Sequence, residues 1–282
     1  MIDSIYSIDE LLKKPFAIMG IVNVTPDSFY DGGRHCNVSA AVEHALKLCD
    51  EGADIIDIGG ASSRPGASVV SIEEELERVL PVIEKVVSEF DGPVSIDTTW
   101  APVAEAAIEC GASWINDISA GRFDDRMKEV AASKKCPVIL MHSRGTPQTM
   151  QNNPTYNDII CEVKRELLIS IDKFLNAGVA GRNIIIDPGF GFAKKCNHNI
   201  SLLKCLNEIV QMGYPVLVGT SRKSLIGEIT GKNANNRLFG TLATVAAAYL
   251  RGARIFRVHD VEASKDMLKV LSAIENDPSV FS

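Results

Sequence analysis

Apolar residues fall in short, nearly continuous runs spaced along the whole chain. Eight have strand character: 16–23 (FAIMGIVN), 53–60 (ADIIDIGG), 93–98 (PVSIDT), 113–119 (SWINDIS), 137–142 (PVILMH), 183–189 (NIIIDPG), 215–221 (PVLVGTS) and 254–260 (RIFRVHD). They are rich in Val, Ile and Leu and do not alternate with polar residues, the pattern of parallel strands covered on both faces. Between them the apolar positions recur with helical period. The clearest case is 72–90, where Ile72, Leu76, Val79, Leu80, Ile83, Val86, Val87 and Phe90 share one broad face. Ser71 followed by Glu74 predicts a capping box at its start, and Pro81 predicts a kink or a division within it. Further helices are predicted over 39–51, 101–110, 124–133, 158–177, 199–212, 239–251 and 261–276, with long connections at 24–38, 60–71 and 143–157. Strand and helix alternate eight times without a linker or a shift in composition, which predicts an α/β fold, a TIM (β/α)8 barrel forming a single domain over 1–282.

Polar residues stand where the runs finish: Asn23, Asp57, Asp97, Asn116 with Asp117, His142, Asp187, Ser221 leading to Arg222 and Lys223, and Arg257 with His259. Closure of a barrel gathers these ends around one mouth, where barrel enzymes place their chemistry. An Asp or Asn after a strand also caps a helix or starts a turn; recurrence at every run is what favours a site. Asp97, Asn116, Asp187 and Lys223 offer acceptors and donors suited to a flat heterocycle, because a carboxylate can accept two parallel N–H bonds from an amino-pyrimidine edge. Lysine is usually a solvated surface residue, but Lys223 follows the apolar run PVLVG directly. Asn23, Arg64, Arg257 and His259 supply hard oxygen for a metal and cations for phosphate. Arg257 and His259 alone would read as a surface pair, and they gain weight from these neighbours.

Composition narrows the function. The 29 Lys and Arg against 36 Asp and Glu give a net charge of −7, which speaks against nucleic acid or an anionic membrane as partner. An anionic ligand would have to be held by local charge. The start MIDSIYSIDELLKK lacks a signal-peptide core, and no apolar run approaches the ~18 residues of a bilayer span, so a cytoplasmic address is expected. The 7 cysteines are scattered and form no CxxC pair, which argues against a disulfide framework and against zinc.

The segments GIVNVTPDSFYDGG (20–33), GADIIDIGGASSRPG (52–66), DPGFGF (187–192), VGTSRKSLIG (218–227) and RVHDV (257–261) resemble the motifs of dihydropteroate synthases, in order and over essentially the whole chain. NVTPDSF, SRKS and RVHDV are the specific ones. The resemblance implies a TIM barrel, commonly homodimeric, that condenses 6-hydroxymethyl-7,8-dihydropterin pyrophosphate with 4-aminobenzoate on the folate pathway, with Mg2+ as cofactor. It implies Asp97, Asn116, Asp187 and Lys223 as the pterin-binding group, with Asp97, Lys223 and Asp187 central to catalysis. It further implies Asn23 as ligand of the metal and pyrophosphate, and Arg64, Arg257 and His259 as the pyrophosphate clamp. Ser63, Pro65, Phe192 and Ser224 would surround the aminobenzoate, with Thr25, Asp27 and Phe29 on a mobile first loop.

Four positions depart from the common pattern: Ser63 where threonine is usual, Ala61 for a frequent acid, and Trp100 and Ala101 where lysine and proline are often found. They bear on discrimination between aminobenzoate and its sulfonamide mimics, and leave the pterin and phosphate positions intact. Two other readings compete. A methyltetrahydrofolate-dependent methyltransferase of the same barrel family would carry an asparagine-bearing SN motif in place of SRKS. A non-catalytic pterin-sensing barrel would have lost one of Asn23, Asp97, Lys223 or His259, and all four are present.

Overall fold

The computed structural model describes residues 6–25, 33–62, 66 and 70–275, with the side chains of 33–37 excepted. Its strands are β1 (Ala17–Asn23), β2 (Ile55–Gly59), β3 (Val94–Asp97), β4 (Trp114–Asp117), β5 (Val138–Met141), β6 (Ile184–Asp187), β7 (Leu217–Val218) and β8 (Ile255–Val258). All pair in parallel, in the order β6-β5-β4-β3-β2-β1-β8-β7. A parallel bridge from Ile186 to Val216, beside the amide of Ile186 donating to the carbonyl of Pro215 at 2.9 Å, joins the two free edges and closes the barrel.

The helices are α1 (Ile8–Leu11), α2 (Gly33–Asp50), α3 (Ile72–Glu89), α4 (Ala101–Glu109), α5 (Met127–Lys134), α6 (Ile159–Asn176), α7 (Cys196–Lys204), α8 (Leu206–Val210), α9 (Ser224–Thr230), α10 (Leu238–Tyr249) and α11 (Val261–Glu275). Apart from the short α1, they lie on the outer side of the strands. Alternation within each strand divides the core in two. Ile18, Ile56, Ile96, Ile115, Leu140, Ile186 and Phe256 face the helices. Ala17, Met19, Ile55, Trp114, Ile139, Ile185, Leu217 and Ile255 fill the lumen, and Ile8 and Leu11 of α1 cap it from the amino-terminal end. The Trp114 indole N–H finds a partner in the carbonyl of Tyr6 at 3.0 Å, so the large ring is buried without leaving a donor unpaired. This apolar floor forces any chemistry to the opposite, carboxyl-terminal mouth.

Several elements differ from the sequence reading. Pro81 does not divide α3, which runs unbroken for 18 residues. Val79, Val82, Ile83 and Val86 anchor the buried side, while Pro81 sits on the solvent face, where a missing N–H is best tolerated. The stripe is also rotated: Glu75 and Val82 are buried and Val87 is exposed. Only half of the capping box forms. The Ser71 hydroxyl accepts from the amide of Glu74 at 3.1 Å, but the Glu74 carboxylate turns to Arg78 at 2.5 Å. Ser71→Ala should therefore cost about 1 kcal/mol, read as a lower urea midpoint at unchanged slope. The helix placed at 39–51 starts at Gly33, the one placed at 199–212 breaks at Cys205 into α7 and α8, and α9 is too short to have shown a period. Among the described residues no helix is long and apolar enough to cross a membrane, and the described cysteines carry no disulfide.

Candidate functional site

Parallel register sets the level of each lumen side chain. Asn23 of β1 pairs with Gly59, Gly59 with Asp97, and Asp97 with Asn116, so these positions form one line across four strands. Gly59 keeps that line close-packed: a Cβ there would stand 3.2 Å from the Cβ of Asp97. One layer deeper, Asp57 is fully buried. Its Oδ2 accepts from Arg257 Nε at 2.6 Å and from Asn116 Nδ2 at 3.0 Å, while its Oδ1 has no hydrogen-bond partner. The other arm of Arg257 donates from Nη2 to Asp97 Oδ2 at 2.6 Å. One guanidinium thus bridges two carboxylates from β2 and β3. Burial opposes the charge on Arg257, yet Asp57 and Asp97 outweigh it and hold the group above the ordinary arginine range. Burial pushes Asp97 upward, with Arg257 as the strongest opposing influence.

Across the mouth, Asp187 ends β6 and accepts the amide of Gly189 at 2.7 Å. Burial raises its pKa and the Lys223 charge opposes this. Lys223 enters from the segment after β7. Its Nζ donates to the carbonyl of Phe190 and lies 4.5 Å from the centre of the Phe192 ring. Burial pulls Lys223 down to about 8, with Asp187 holding it up. Beside it, the Ser221 hydroxyl accepts from the His259 amide at 3.2 Å and lies within hydrogen-bond distance of His259 Nδ1 at 3.0 Å, which fixes the ring at the mouth. Arg222, at φ 56, is held by Asp260 through Nε at 3.1 Å and Nη2 at 2.6 Å, which ties the SRKS segment to the end of β8.

The cavity between these groups is lined by Asn116, Asp187, Phe192, Ser221, Lys223, Arg257 and His259, with Ile21, Ile118, Met141 and Gly219 as its apolar part. Such a mix of a few convergent polar groups on apolar walls suits a planar, polar ligand. Asp97 joins the cavity through Arg257. Asn23 stands half-exposed at the rim, and Thr25 lies two residues beyond. Ser224 opens α9 and is exposed, outside this cavity. Ser63, Arg64, Pro65, Asp27 and Phe29 lie outside the described residues. Of the departures from the common pattern, Ala101 is buried at the start of α4 with its amide on Asp124 Oδ2 at 3.0 Å, and Trp100 packs on the core.

Two features escape sequence reading. Asp57 is visible as a polar strand residue, but its tie to Arg257 spans 200 positions. The other is a buried lysine: Lys194 is 3% exposed, and its Nζ lies 2.9 Å from His142 Nδ1. Burial keeps His142 neutral, pulling it down to about 4, and draws Lys194 well below the ordinary lysine range.

Comparison with known proteins places this geometry. The pattern of the family described as pterin binding enzyme matches residues 19–259. A dihydropteroate synthase from Synechocystis is 48% identical over 258 residues, covering 91% of this chain and 89% of the relative. A Xanthomonas albilineans dihydropteroate synthase solved with 4-aminobenzoic acid is 46% identical, with a TM-score of 0.88 over 93% of this chain and 94% of that one. The same organism's enzyme in complex with 7,8-dihydropteroate is 44% identical, with a TM-score of 0.85 over 93% and 94% of the two chains.

Proposed function

Because the chain belongs to the pterin-binding enzymes, and among them to the dihydropteroate synthases, we propose that its carboxyl-terminal cup is where 6-hydroxymethyl-7,8-dihydropterin pyrophosphate meets 4-aminobenzoate. The enzyme is a transferase of folate biosynthesis: it joins the two substrates to 7,8-dihydropteroate and releases pyrophosphate. The observation that carries the assignment of roles is the convergence of Asn116, Asp187, Lys223, Arg257 and His259 on one cavity from four different strand ends.

Asp187 and Asn116 take the donor and acceptor edge of the pterin, and Asp97 stands beside them hydrogen-bonded to Arg257. Lys223 donates toward the ring with its Nζ 4.5 Å from the centre of the Phe192 ring, the shelf for the aminobenzoate. His259 and Arg64 hold the diphosphate with the free edge of Arg257. Asn23 offers an amide oxygen at the rim, and no cluster of three His, Cys, Asp or Glu forms among the described residues. That donor set fits Mg2+, which keeps waters and takes phosphate oxygens rather than a cage of protein ligands, and which when bound would supply charge neutralisation to the leaving diphosphate. The bond between the pterin methylene carbon and the diphosphate oxygen breaks first. The electron pair leaves with the diphosphate, and a resonance-stabilised cation remains. Asp97 and Asp187 lower the energy of that positive charge in a site of low dielectric. The amine lone pair of 4-aminobenzoate then forms the new C–N bond, and the proton leaves from nitrogen that is already bonded, so no strong base has to precede the attack.

We take the active form to be a cytoplasmic homodimer of one domain spanning 1–282. Phe239 on α10 and Val270 and Ile274 on α11 are 75%, 63% and 71% exposed, apolar side chains on the late helices that such an interface would cover.

The direct test is release of pyrophosphate from the pterin substrate in the presence of 4-aminobenzoate and Mg2+. Release above background is expected, and none from folded protein would favour a sensing role. Its pH profile adds a second reading. The Lys223 pKa is lowered in the folded protein, so its ammonium is lost as pH rises through about 8. We expect kcat/KM to fall above that pH, and Lys223→Arg, which stays charged, to lose the alkaline limb even at reduced rate. A wild-type profile flat to pH 10 would remove the ammonium from the mechanism.

A further inference from the structure

A second polar chain runs behind the cup from the half-buried Arg144 and Glu166 to the buried His142 and Lys194, and the chemistry itself does not use it. Arg144, in the segment after β5, donates from Nη2 to Glu162 Oε2 at 2.7 Å and from Nε to Glu166 Oε2 at 3.1 Å. Glu166 Oε2 lies 3.0 Å from His142 Nε2, and His142 Nδ1 lies 2.9 Å from Lys194 Nζ. The same Nζ donates at 3.0 Å to the carbonyls of both Gly189 and Phe192. Against its partial burial, His142 and Arg144 keep the Glu166 carboxylate ionised, so it can only accept and His142 Nε2 donates to it. Burial keeps the ring neutral, which leaves Nδ1 as an acceptor for Lys194 Nζ. Lys194 thereby links α6 to two carbonyls of the β6–α7 loop.

That loop carries the site. Between Asp187 and Lys194 the backbone passes through φ 70 at Gly189, 80 at Gly191 and 50 at Ala193, so successive carbonyls turn to different sides. Each is met by a side chain: Gly189 and Phe192 by Lys194, Phe190 by Lys223, and Gly191 by Gln151 Nε2 at 2.6 Å. Asn199 Oδ1 accepts the Gly191 amide at 2.8 Å. Gly189 admits no side chain, since a Cβ there would stand 1.9 Å from the carbonyl oxygen of His142. Asp187 is fixed by its own strand, whereas the direction of Phe192 depends on the loop.

We propose that Lys194, backed by His142 and Glu166, is a positioning residue for the aminobenzoate side of the site, setting the direction in which Phe192 projects without touching either substrate. This rests on Phe192 being the aminobenzoate shelf. The test is two-substrate steady-state kinetics on Lys194→Met, Glu166→Gln and Phe192→Ala. Lys194→Met keeps the length of the side chain and removes its donors. We expect it to raise KM for 4-aminobenzoate about tenfold, with KM for the pterin substrate unchanged within twofold, as for a misplaced binding group. Glu166 is part-exposed, so Glu166→Gln folds readily and carries the same test if Lys194→Met does not; it should move the same KM in the same direction by a smaller factor. A parallel change in both KM values, or in kcat or active fraction alone, overturns the proposal. Phe192→Ala separates the two readings. If it raises KM for 4-aminobenzoate and the Lys194 and Glu166 variants do not, positioning alone is wrong; if it too leaves that KM unchanged, the shelf reading falls and takes the positioning role with it.

Discussion

Arg257→Met should lose about 3 to 5 kcal/mol of stability and all measurable turnover. Arg257 is the shared partner of two carboxylates, at 2.6 Å from Asp57 and 2.6 Å from Asp97, and the Asp57 side chain has no contact with solvent. Removing the guanidinium leaves both charges in a low-dielectric lumen with only the Asn116 amide in compensation. Against a typical total of about 5–15 kcal/mol, such a loss is large enough to unfold part of the population at physiological temperature. Its pH dependence has a definite sign. Burial already raises Asp97 to about 7 against the opposing charge of Arg257, and losing that charge raises it further. The Asp97 part of the penalty is therefore absent below about pH 7 and grows as pH rises above it. Urea midpoints of the variant and wild type should draw further apart above about pH 7. Arg257→Lys restores one charge but cannot reach both partners, so it should recover part of the stability and little activity. A variant as stable as wild type at pH 7 would mean that the carboxylates are not charged in the fold.

Asp97→Ala acts on rate rather than on folding. It removes one of two carboxylates beside a single arginine and leaves Arg257 paired with Asp57, so the melting temperature should stay close to wild type. Turnover should fall by about 10^3, the order expected when one preorganised electrostatic contact to a developing charge is removed. Asp97→Asn keeps the shape and removes the charge, and should lie close to the alanine variant if charge is what matters. Near-normal turnover in either protein would take Asp97 out of the mechanism.

What the sequence revealed and what it hid follow from how each feature is specified. Strands such as 137–142 are legible because both faces are buried, so apolar residues run without interruption. The polar mouth is legible because parallel register puts strand ends at one level; Asn23, Asp97 and Asn116 stand in line for that reason alone. The motifs of the family supplied roles that spacing could not. Three-dimensional closure is what hid the rest. The Asp57 partner comes from the last strand, and nothing in IIDIGG distinguishes an ion-paired aspartate from a turn-former. Lys194 stands in AKKC beside Lys195, which is exposed; only the left-handed turns of the preceding loop send one inward. Glu75 lies in a run of three glutamates and is buried because Gly60 leaves room for it, with a Cβ at Gly60 standing 2.9 Å from Glu75 Cγ. Pro81 was legible as a residue but not as to which side of α3 it faces.

Asp187 and Asn116 are expected to hold the pterin in the lumen cup. Calorimetric titration with 6-hydroxymethylpterin, which lacks the diphosphate, measures this apart from turnover. Saturable binding at one site per chain is expected in the wild-type protein, and at least a 100-fold weaker affinity in Asp187→Asn, since a carboxylate that accepts two N–H bonds is replaced by an amide that can accept only one. Equal affinity in the two proteins would contradict the account and place the pterin elsewhere.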